Sequence, residues 1–198
     1  MTKDKIVIPK EVRDIINSLQ KAGYEAYIVG GCVRDLLRGK KPKDWDVTTS
    51  AKPEEVTVLF PDSFYENKFL TVTVKTGSED EILKEVEVTT YRAEGKYTDK
   101  RHPDEVLFAK TLEEDLSRRD FTVNAMALNL VKSDFTRKKS DFGVKLVDPF
   151  GGQEDLKNKL IRAVGEPKVR FEEDALRMMR AVRLAIQLKF DIEEKTRQ

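Results

Sequence analysis

Two aspartates one residue apart, Asp44 and Asp46, are the side chains in this sequence best suited to metal chemistry. If residues 44–48 form a strand, positions i and i+2 share a face and the two carboxylates point together. Two carboxylates on one face can hold Mg²⁺ when phosphate oxygens supply the remaining ligands. The pair therefore predicts a metal site that works on a phosphate.

A double glycine, Gly30 and Gly31, ends the apolar run 27–29 upstream of the aspartates. Glycines let a backbone turn sharply and approach a phosphate closely, and the N-terminus of the helix expected next favours an anion. Arg34 adds a fork of donors for the same phosphates. The stretch as a whole predicts a site for a nucleoside triphosphate with its metal. The alternative is a strand, turn and helix with a solvated aspartate pair at the edge.

A second polar cluster lies between residues 118 and 124. Arg118 and Arg119 are adjacent, which is costly unless anions neutralise them. Asp120 and Asn124 can bond a ribose hydroxyl. By itself the spacing indicates only a polar cluster at the entry to an apolar strand.

A third cluster contains Asp174 and Arg177, which are three residues apart and are expected on one helix face. Cytosine and adenine both present an exocyclic amino donor beside a ring-nitrogen acceptor. A carboxylate and a guanidinium complement that edge and reject uracil and guanine, which reverse the pattern. The alternative is a surface ion pair between Glu173 and Arg177, worth about 0.2–0.5 kcal/mol.

The three segments resemble the motifs of the class II nucleotidyltransferases of the DNA polymerase β-like superfamily. This group includes the CCA-adding enzymes (tRNA nucleotidyltransferases) and the bacterial poly(A) polymerases. The first segment matches Gly-Gly-x-Val-Arg-Asp followed by Asp-x-Asp, the second Arg-Arg-Asp-Phe-Thr-x-Asn, and the third Glu-Asp-x-x-Arg. The resemblance runs from about residue 24 to residue 183. It implies a catalytic head followed by the start of a neck, so that further neck, body and tail regions are expected beyond residue 198.

The resemblance implies template-independent addition of CCA, or of its terminal A, to tRNA 3′ ends from CTP and ATP. Asp44 and Asp46 would hold two Mg²⁺ ions, which activate the 3′-hydroxyl and neutralise the triphosphate. Glu87 is the candidate third catalytic carboxylate, with an ordinary exposed strand glutamate as the alternative. The nucleotide-binding residues implied are Gly30, Gly31, Arg34, Arg118, Arg119, Asp120, Asn124, Asp174, Arg177 and Arg180.

Two other functions compete with CCA addition. The first is a bacterial poly(A) polymerase, but the chain lacks the Arg-Arg-Phe-Arg-Leu-type stretch that marks those enzymes. The second is a noncatalytic RNA- or nucleotide-binding module, which the intact Asp44 and Asp46 argue against. A loop that resembles that of enzymes adding the terminal A favours retention of that step, and its matching residues are Tyr97, Asp99, Arg101 and Pro103.

Composition limits the alternatives further. The chain has 198 residues, of which 39% are hydrophobic and 37% charged, with a net charge of +1. A basic surface must therefore come from local clustering rather than bulk charge. One cysteine and one histidine exclude an internal disulfide and a multi-histidine metal site. No stretch reaches the ~20 apolar residues of a membrane helix and no signal peptide is evident, so a cytoplasmic protein is expected.

The elements that must position these residues indicate an α/β (α+β) fold, a small mixed sheet backed by helices. Residues 1–150 are expected to form the catalytic head and residues 151–198 the start of the helical neck. Leu70 stands where the family usually has a glycine, before a Thr-Val strand. Met178 and Met179 are expected to pack in the core. Strands are predicted at 24–29, 44–48, 69–76, 82–91 and 124–131, and helices at 9–23, 32–38, 53–60, 112–118, from 153 onward and at 169–189.

Overall fold

The computed structural model describes residues 6–66, 70–93, 107–132 and 142–198. The A-adding loop residues Tyr97, Asp99, Arg101 and Pro103 lie outside these ranges. In chain order the elements are α1 (Lys10–Lys21), β1 (Ala26–Val29), α2 (Gly31–Leu37), β2 (Asp46–Thr49), α3 (Pro53–Leu59), β3 (Ser63–Glu66), β4 (Thr71–Lys75), β5 (Glu85–Thr90), β6 (Arg92–Ala93), β7 (Leu107–Phe108), α4 (Leu112–Ser117), a 3-10 turn (Thr122–Asn124), β8 (Ala127–Lys132), β9 (Phe142–Val147), α5 (Gly152–Asn158), β10 (Leu160–Ile161), α6 (Pro167–Glu173), α7 (Leu176–Leu188), β11 (Asp191–Ile192) and α8 (Glu194–Arg197).

The chain divides into two compact units, each built from two segments. The sheet unit comprises Met1–Thr90 and Ala127–Val147, and the helical unit comprises Tyr91–Met126 and Asp148–Gln198. The mixed α/β fold predicted from the sequence is confirmed. The division of the chain into a head at 1–150 and a neck at 151–198 stays a prediction.

The sheet unit is organised around a mixed sheet whose strands lie in the order β3-β4-β5-β2-β1-β8-β9. β2 and β5 pair in parallel, and the other neighbours pair antiparallel. Along β5 the residues Val86 and Val88 are buried while Glu85 and Glu87 are exposed, so its two faces alternate as a half-buried strand requires. Helix α1 buries a stripe at helical spacing, as predicted: Val12, Ile15, Ile16 and Leu19.

The helical unit has its own small core. Phe121 and Val123, on either side of the start of the 3-10 turn, are fully buried against Ile161 of β10 and against Ala181 and Leu188 of α7. Two short ladders, β6 with β7 and β10 with β11, complete the unit. The helices are short, so the packing of their apolar residues rather than helix propensity holds this unit together.

Several strand predictions from the sequence differ from the structure. The predicted strand 124–131 starts only at Ala127, because residues 122–124 form the 3-10 turn. The predicted strand 82–91 starts at Glu85, after a turn that Asp80 stabilises by accepting a hydrogen bond from Ile82 N. Strands β3 and β9 were not predicted at all.

The predicted helix over 169–189 is two helices. α6 ends at Glu173, Asp174 adopts an extended conformation with φ −143° and ψ 105°, and α7 starts at Leu176. The prediction that Met178 and Met179 pack in the core is also wrong, because they are 50% and 68% exposed. The apolar spacing along α7 marks a face that is open within this chain.

Candidate active site

The carboxylates of the first motif line one open pocket of about 470 Å³ in the sheet unit. Asp46 is the first residue of β2, whereas Asp44 lies in the bend before it rather than in a strand as predicted. Trp45, between them, is 4% exposed and points into the interior. Asp44 and Asp46 consequently reach the same pocket although only one of them belongs to the strand.

Glu87 lies next to Asp46 across the parallel β2–β5 pair. The next strand continues the row, because Glu87 pairs with Thr73 of β4, and Thr73 pairs with Phe64 of β3. Directly paired residues share a sheet face, so these side chains project on one side and line the same pocket. The structure thus brings Glu87 to the aspartate pair, as the sequence analysis expected.

The donor set suits a metal that is shared with a substrate. Among the described residues, no group of three or more His, Cys, Asp and Glu side chains is arranged to hold a metal ion. Mg²⁺ typically binds through one or two carboxylates and takes its other ligands from water and substrate phosphates. The open pocket with Asp44, Asp46 and the nearby Glu87 fits that pattern.

Cys32 is a buried residue of α2, directly after the glycine turn. Its thiol is fully buried and donates a hydrogen bond to Val29 O at 3.0 Å. Burial, together with the smaller effect of the negative charges of Asp46 and Asp44, raises the pKa of Cys32 to about 12. The thiol is therefore protonated at neutral pH and stays part of the core.

The glycine turn between β1 and α2 has the predicted special conformation. Gly30 has φ 82° and ψ −141°, a region open to glycine and strained for other residues. The Arg34 guanidinium lies over the turn, 3.5 Å from the position of a Cβ on Gly31. Asp35 accepts two 3.0 Å hydrogen bonds from Arg34, a partner that the sequence analysis did not consider.

Leu70 has an unusual backbone conformation for a residue with a side chain. Its φ is +50°, in the left-handed region that glycine adopts easily, and its carbonyl accepts a hydrogen bond from Thr90 N at 3.2 Å. Leucine therefore occupies, at the entry to β4, a backbone conformation that glycine adopts more easily.

In the helical unit, Arg118 and Arg119 gather around Asp115, a fully buried carboxylate of α4. Arg118 donates from Nε and Nη2 to Oδ1 at 3.1 and 3.0 Å, and Arg119 Nη2 lies 3.7 Å from Oδ2. Arg92 N also donates to Oδ1, at 3.1 Å. Burial by itself would raise the pKa of Asp115, but the two guanidinium charges and these hydrogen bonds outweigh it and lower the pKa.

Asp120, Asn124 and Arg180 are brought together in the same unit. Asp120 is 8% exposed, and its Oδ2 accepts a 2.7 Å hydrogen bond from Arg180 Nε. Its Oδ1 accepts from Phe121 N at 2.8 Å and from Asn124 Nδ2 at 3.4 Å. The motif residues of 118–124 and of α7 thus belong to one hydrogen-bonded cluster.

Asp174 and Arg177 do not share a helix face as predicted. Asp174 precedes α7, and its Oδ1 accepts a hydrogen bond from Leu176 N at 2.9 Å. Arg177 is 7% exposed and donates to Glu173 Oε2 at 2.8 Å and to Arg118 O at 3.4 Å. The ion pair between Glu173 and Arg177 is therefore present, but it is partly buried rather than on the exposed surface.

The sequence analysis missed the residues that hold the 3-10 turn. Thr122 Oγ1 donates to buried Asp155 Oδ2 at 2.6 Å, and Arg162 Nε donates to both Asp155 oxygens at 3.1 and 3.2 Å. Gly152 lies so close that a Cβ there would be 2.2 Å from Thr122 O. Gly151 and Gly152 are adjacent in the sequence, but nothing in the sequence showed what the second glycine touches.

Comparison with known proteins identifies the family. Residues 26–162 match the family described as the poly A polymerase head domain. The chain belongs to this family. It is 51% identical over 185 residues to the CCA-adding enzyme of Lactobacillus helveticus, covering 93% of this chain and 42% of that protein.

Solved structures of the family show the same fold. The chain matches the Bacillus stearothermophilus CCA-adding enzyme in complex with CTP with a TM-score of 0.78 and 40% identity, over 96% of this chain and 42% of the other. It matches the Thermotoga maritima CCA-adding enzyme complexed with tRNA with a TM-score of 0.70 and 30% identity, over 98% and 42%. The chain spans about two fifths of the length of the relatives it matches. Among the helices in the described ranges, none is long and apolar enough to span a membrane.

Proposed function

We propose that this chain is the nucleotidyltransferase part of an enzyme that adds CCA, or its terminal A, to tRNA 3′ ends from CTP and ATP. The observation that carries the proposal is the meeting of Asp44, Asp46 and Glu87 in one open pocket beside the glycine turn. Relatives that share this fold are CCA-adding enzymes solved with CTP and with tRNA. A cytoplasmic location fits those substrates.

Different residues of the sheet unit are proposed to have different roles in an in-line displacement. Asp44 and Asp46 would hold two Mg²⁺ ions, which supply charge neutralisation for the triphosphate and lower the pKa of the acceptor hydroxyl. Glu87 lies beside Asp46, where it can orient or deprotonate the acceptor 3′-oxygen. Arg34 and the backbone at Gly30 and Gly31 would bind the phosphates of the incoming nucleotide.

Residues of the helical unit would bind the sugar and the base. Arg118 and Arg119 carry positive charge for phosphate and sugar, and Asp115 holds them in place. Asp120 and Asn124 are proposed to bond the ribose. Asp174 and Arg177 are proposed to recognise cytosine and adenine, with Glu173 holding the Arg177 guanidinium until a base takes its place. Arg180, paired with Asp120, completes the set.

The test is Mg²⁺-dependent incorporation into a tRNA that lacks its CCA end. Each nucleotide is supplied separately, and CTP is then supplied together with ATP. We expect addition from CTP and ATP but not from UTP or GTP. Asp46→Ala should reduce the rate at least about 1,000-fold, because a lost metal ligand removes several kcal/mol of transition-state stabilisation.

The matched control is Asp62→Ala, which removes an exposed aspartate outside the pocket and should leave the rate unchanged. Long A tails made from ATP alone would move the assignment to a poly(A) polymerase. Selective binding of CTP and ATP without incorporation would instead favour a noncatalytic nucleotide-binding module.

A further inference from the structure

Phe64 is an exposed aromatic side chain in line with the catalytic carboxylates. It lies on β3, the outermost strand on its side of the sheet, and is 42% exposed. Its pairing partner Thr73 is the neighbour of Glu87, so the ring lies in the same row and lines the same pocket. Exposure of an apolar ring to water is unfavourable, and a nucleic-acid base can cover such a ring by stacking on it.

The row of paired residues across the sheet has two chemically different ends. In order across the sheet the paired positions are Val29, Asp46, Glu87, Thr73 and Phe64. The glycine turn begins at Gly30, directly after Val29, so the proposed phosphate site is at one end of the row and Phe64 is at the other.

In-line transfer determines which substrate lies over which end. The attacking oxygen and the leaving group are on opposite sides of the reacting phosphorus. If pyrophosphate leaves on the glycine-turn side of Asp46, the attacking 3′-oxygen approaches from the Glu87 side. The acceptor nucleotide must then extend over β5, β4 and β3, away from Gly30.

We infer that Phe64 is the stacking platform for the base of the 3′-terminal nucleotide of the RNA acceptor. Adjacent strands are about 4.8 Å apart, so β3 lies about 10 Å from the strand of Glu87, a span that one nucleotide covers. This inference rests on the proposed function, because it uses the direction of nucleotide transfer. It assigns the acceptor to a place distinct from that of the incoming nucleotide.

The charges around the ring fit the terminal nucleotide of a strand. The pocket wall carries Glu81 and Glu85 in addition to the catalytic carboxylates, and Lys43 is the one basic residue among the described residues that line it. The excess of negative charge disfavours a run of phosphates inside the pocket. Lys75, on β4 opposite Glu85 of β5, places its Nζ 6.0 Å from the centroid of the Phe64 ring. A base can therefore stack on Phe64 while Lys75 attracts the phosphate that links it to the rest of the RNA.

The experiment measures this chain with short RNAs that end in the tRNA acceptor sequence. The variants are Phe64→Ala, Phe64→Leu, which keeps apolar volume but lacks a flat ring, and Phe64→Tyr, which keeps the ring. The readouts are the Kd for the RNA without nucleotide, the Kd for CTP and ATP, and the KM for RNA during incorporation. Val58→Ala, on an exposed residue of α3 outside the pocket, is the matched control.

We expect Phe64→Ala and Phe64→Leu to raise the Kd and KM for RNA about 5- to 150-fold, the range of one base–aromatic stack. Phe64→Tyr should keep the wild-type Kd and KM for RNA. In all three variants the Kd for CTP and ATP should stay within about twofold of the wild-type value. Unchanged RNA affinity in Phe64→Ala, or wild-type RNA affinity in Phe64→Leu, would overturn the inference while leaving the proposed function intact. Absence of incorporation by the wild-type chain together with normal RNA affinity would count against the proposed function instead.

Discussion

Asp115 explains at the residue scale why two arginines can stand side by side in this chain. The sequence analysis attributed the anions near Arg118 and Arg119 to a substrate, but the structure places an internal carboxylate between them. The spacing i to i+3 and i+4 from Asp115 was visible in the sequence and could have indicated the pair. That the carboxylate is fully buried could not be predicted, because burial depends on packing between distant segments.

Asp115→Asn should destabilise the protein by about 3–5 kcal/mol at neutral pH, since it leaves two part-buried guanidinium groups without their counter-charge. The pKa of Asp115 is lower in the folded chain than in the unfolded one. Its contribution is therefore fully present above the unfolded pKa of about 4 and is lost as the pH falls through the folded value. Urea unfolding between about pH 7 and pH 2 should show a shallower acid decline in the variant.

The control for this prediction is Asp14→Asn, which breaks an exposed pair with Lys10 on α1. Exposed pairs of this kind contribute about 0–1 kcal/mol, so its stability curve should follow that of the wild type. If Asp115→Asn behaved like Asp14→Asn at every pH, the buried cluster would have no energetic role.

The break between α6 and α7 shows, at the element scale, that a helical spacing of apolar residues does not reveal where one helix ends and the next begins. The apolar spacing over residues 169–189 is helical, and each half does form a helix. Asp174 interrupts them because its carboxylate bonds Leu176 N in place of continued helical backbone bonding, which is a local preference of aspartate. The helical period is the same on both sides of such a break, so the sequence pattern did not mark it.

Gly152→Ala should destabilise the protein by at least about 3 kcal/mol, because an added Cβ would meet the backbone oxygen of Thr122 at 2.2 Å. α5 and the 3-10 turn would have to separate, and Asp155 would lose its bond to Thr122 Oγ1. Thermal and urea unfolding measure the loss, and activity at permissive temperature should fall because the turn carries Asn124.

Gly143→Ala is the matched control on β9. The nearest atom to its added Cβ would be a side-chain methyl of Val131 at 3.0 Å, and Val131 is 37% exposed and has space to rotate. The cost should be well under half that of Gly152→Ala. Equal costs would mean that loss of glycine flexibility in general, rather than the contact with Thr122, determines the result.

At the scale of the whole molecule, the part of the fold that could be predicted is the part encoded by local pattern. The sequences of β4 and β5 are rich in β-branched residues, with valine at every second position over most of each strand. Helix α1 has apolar residues at helical spacing along one face. The carboxylate site followed from motif resemblance, and the register between Asp46 and Glu87 supports it. Strand order and the two-segment construction of each unit involve residues far apart in sequence, which no local pattern encodes.

The single cysteine gives a probe of the sheet unit. Cys32 is fully buried and burial raises its pKa to about 12, so it should react with an aromatic disulfide reagent only when the structure opens. At mildly alkaline pH we expect labelling at least about 1,000-fold slower than in denaturing guanidinium, given ordinary domain stabilities. Absorbance of the released thiolate measures both rates.

Circular dichroism provides the control for the labelling assay. Circular dichroism recorded alongside should show that the secondary structure is intact while the thiol stays protected. Rapid labelling of a chain with an intact spectrum would contradict the burial of Cys32 in the sheet unit.

The pairing of β1 with β8 has a consequence for how this protein is made. Ile28 pairs with Leu128, 100 residues later in the chain, so one side of β1 has no partner while the intervening residues are synthesised. Contacts of such long sequence separation form slowly, and open strand edges invite association with other chains. In the nascent polypeptide, the edge of β1 that later pairs with β8 therefore stays exposed until β8 leaves the ribosome. We expect chaperones to bind the chain mainly during this interval.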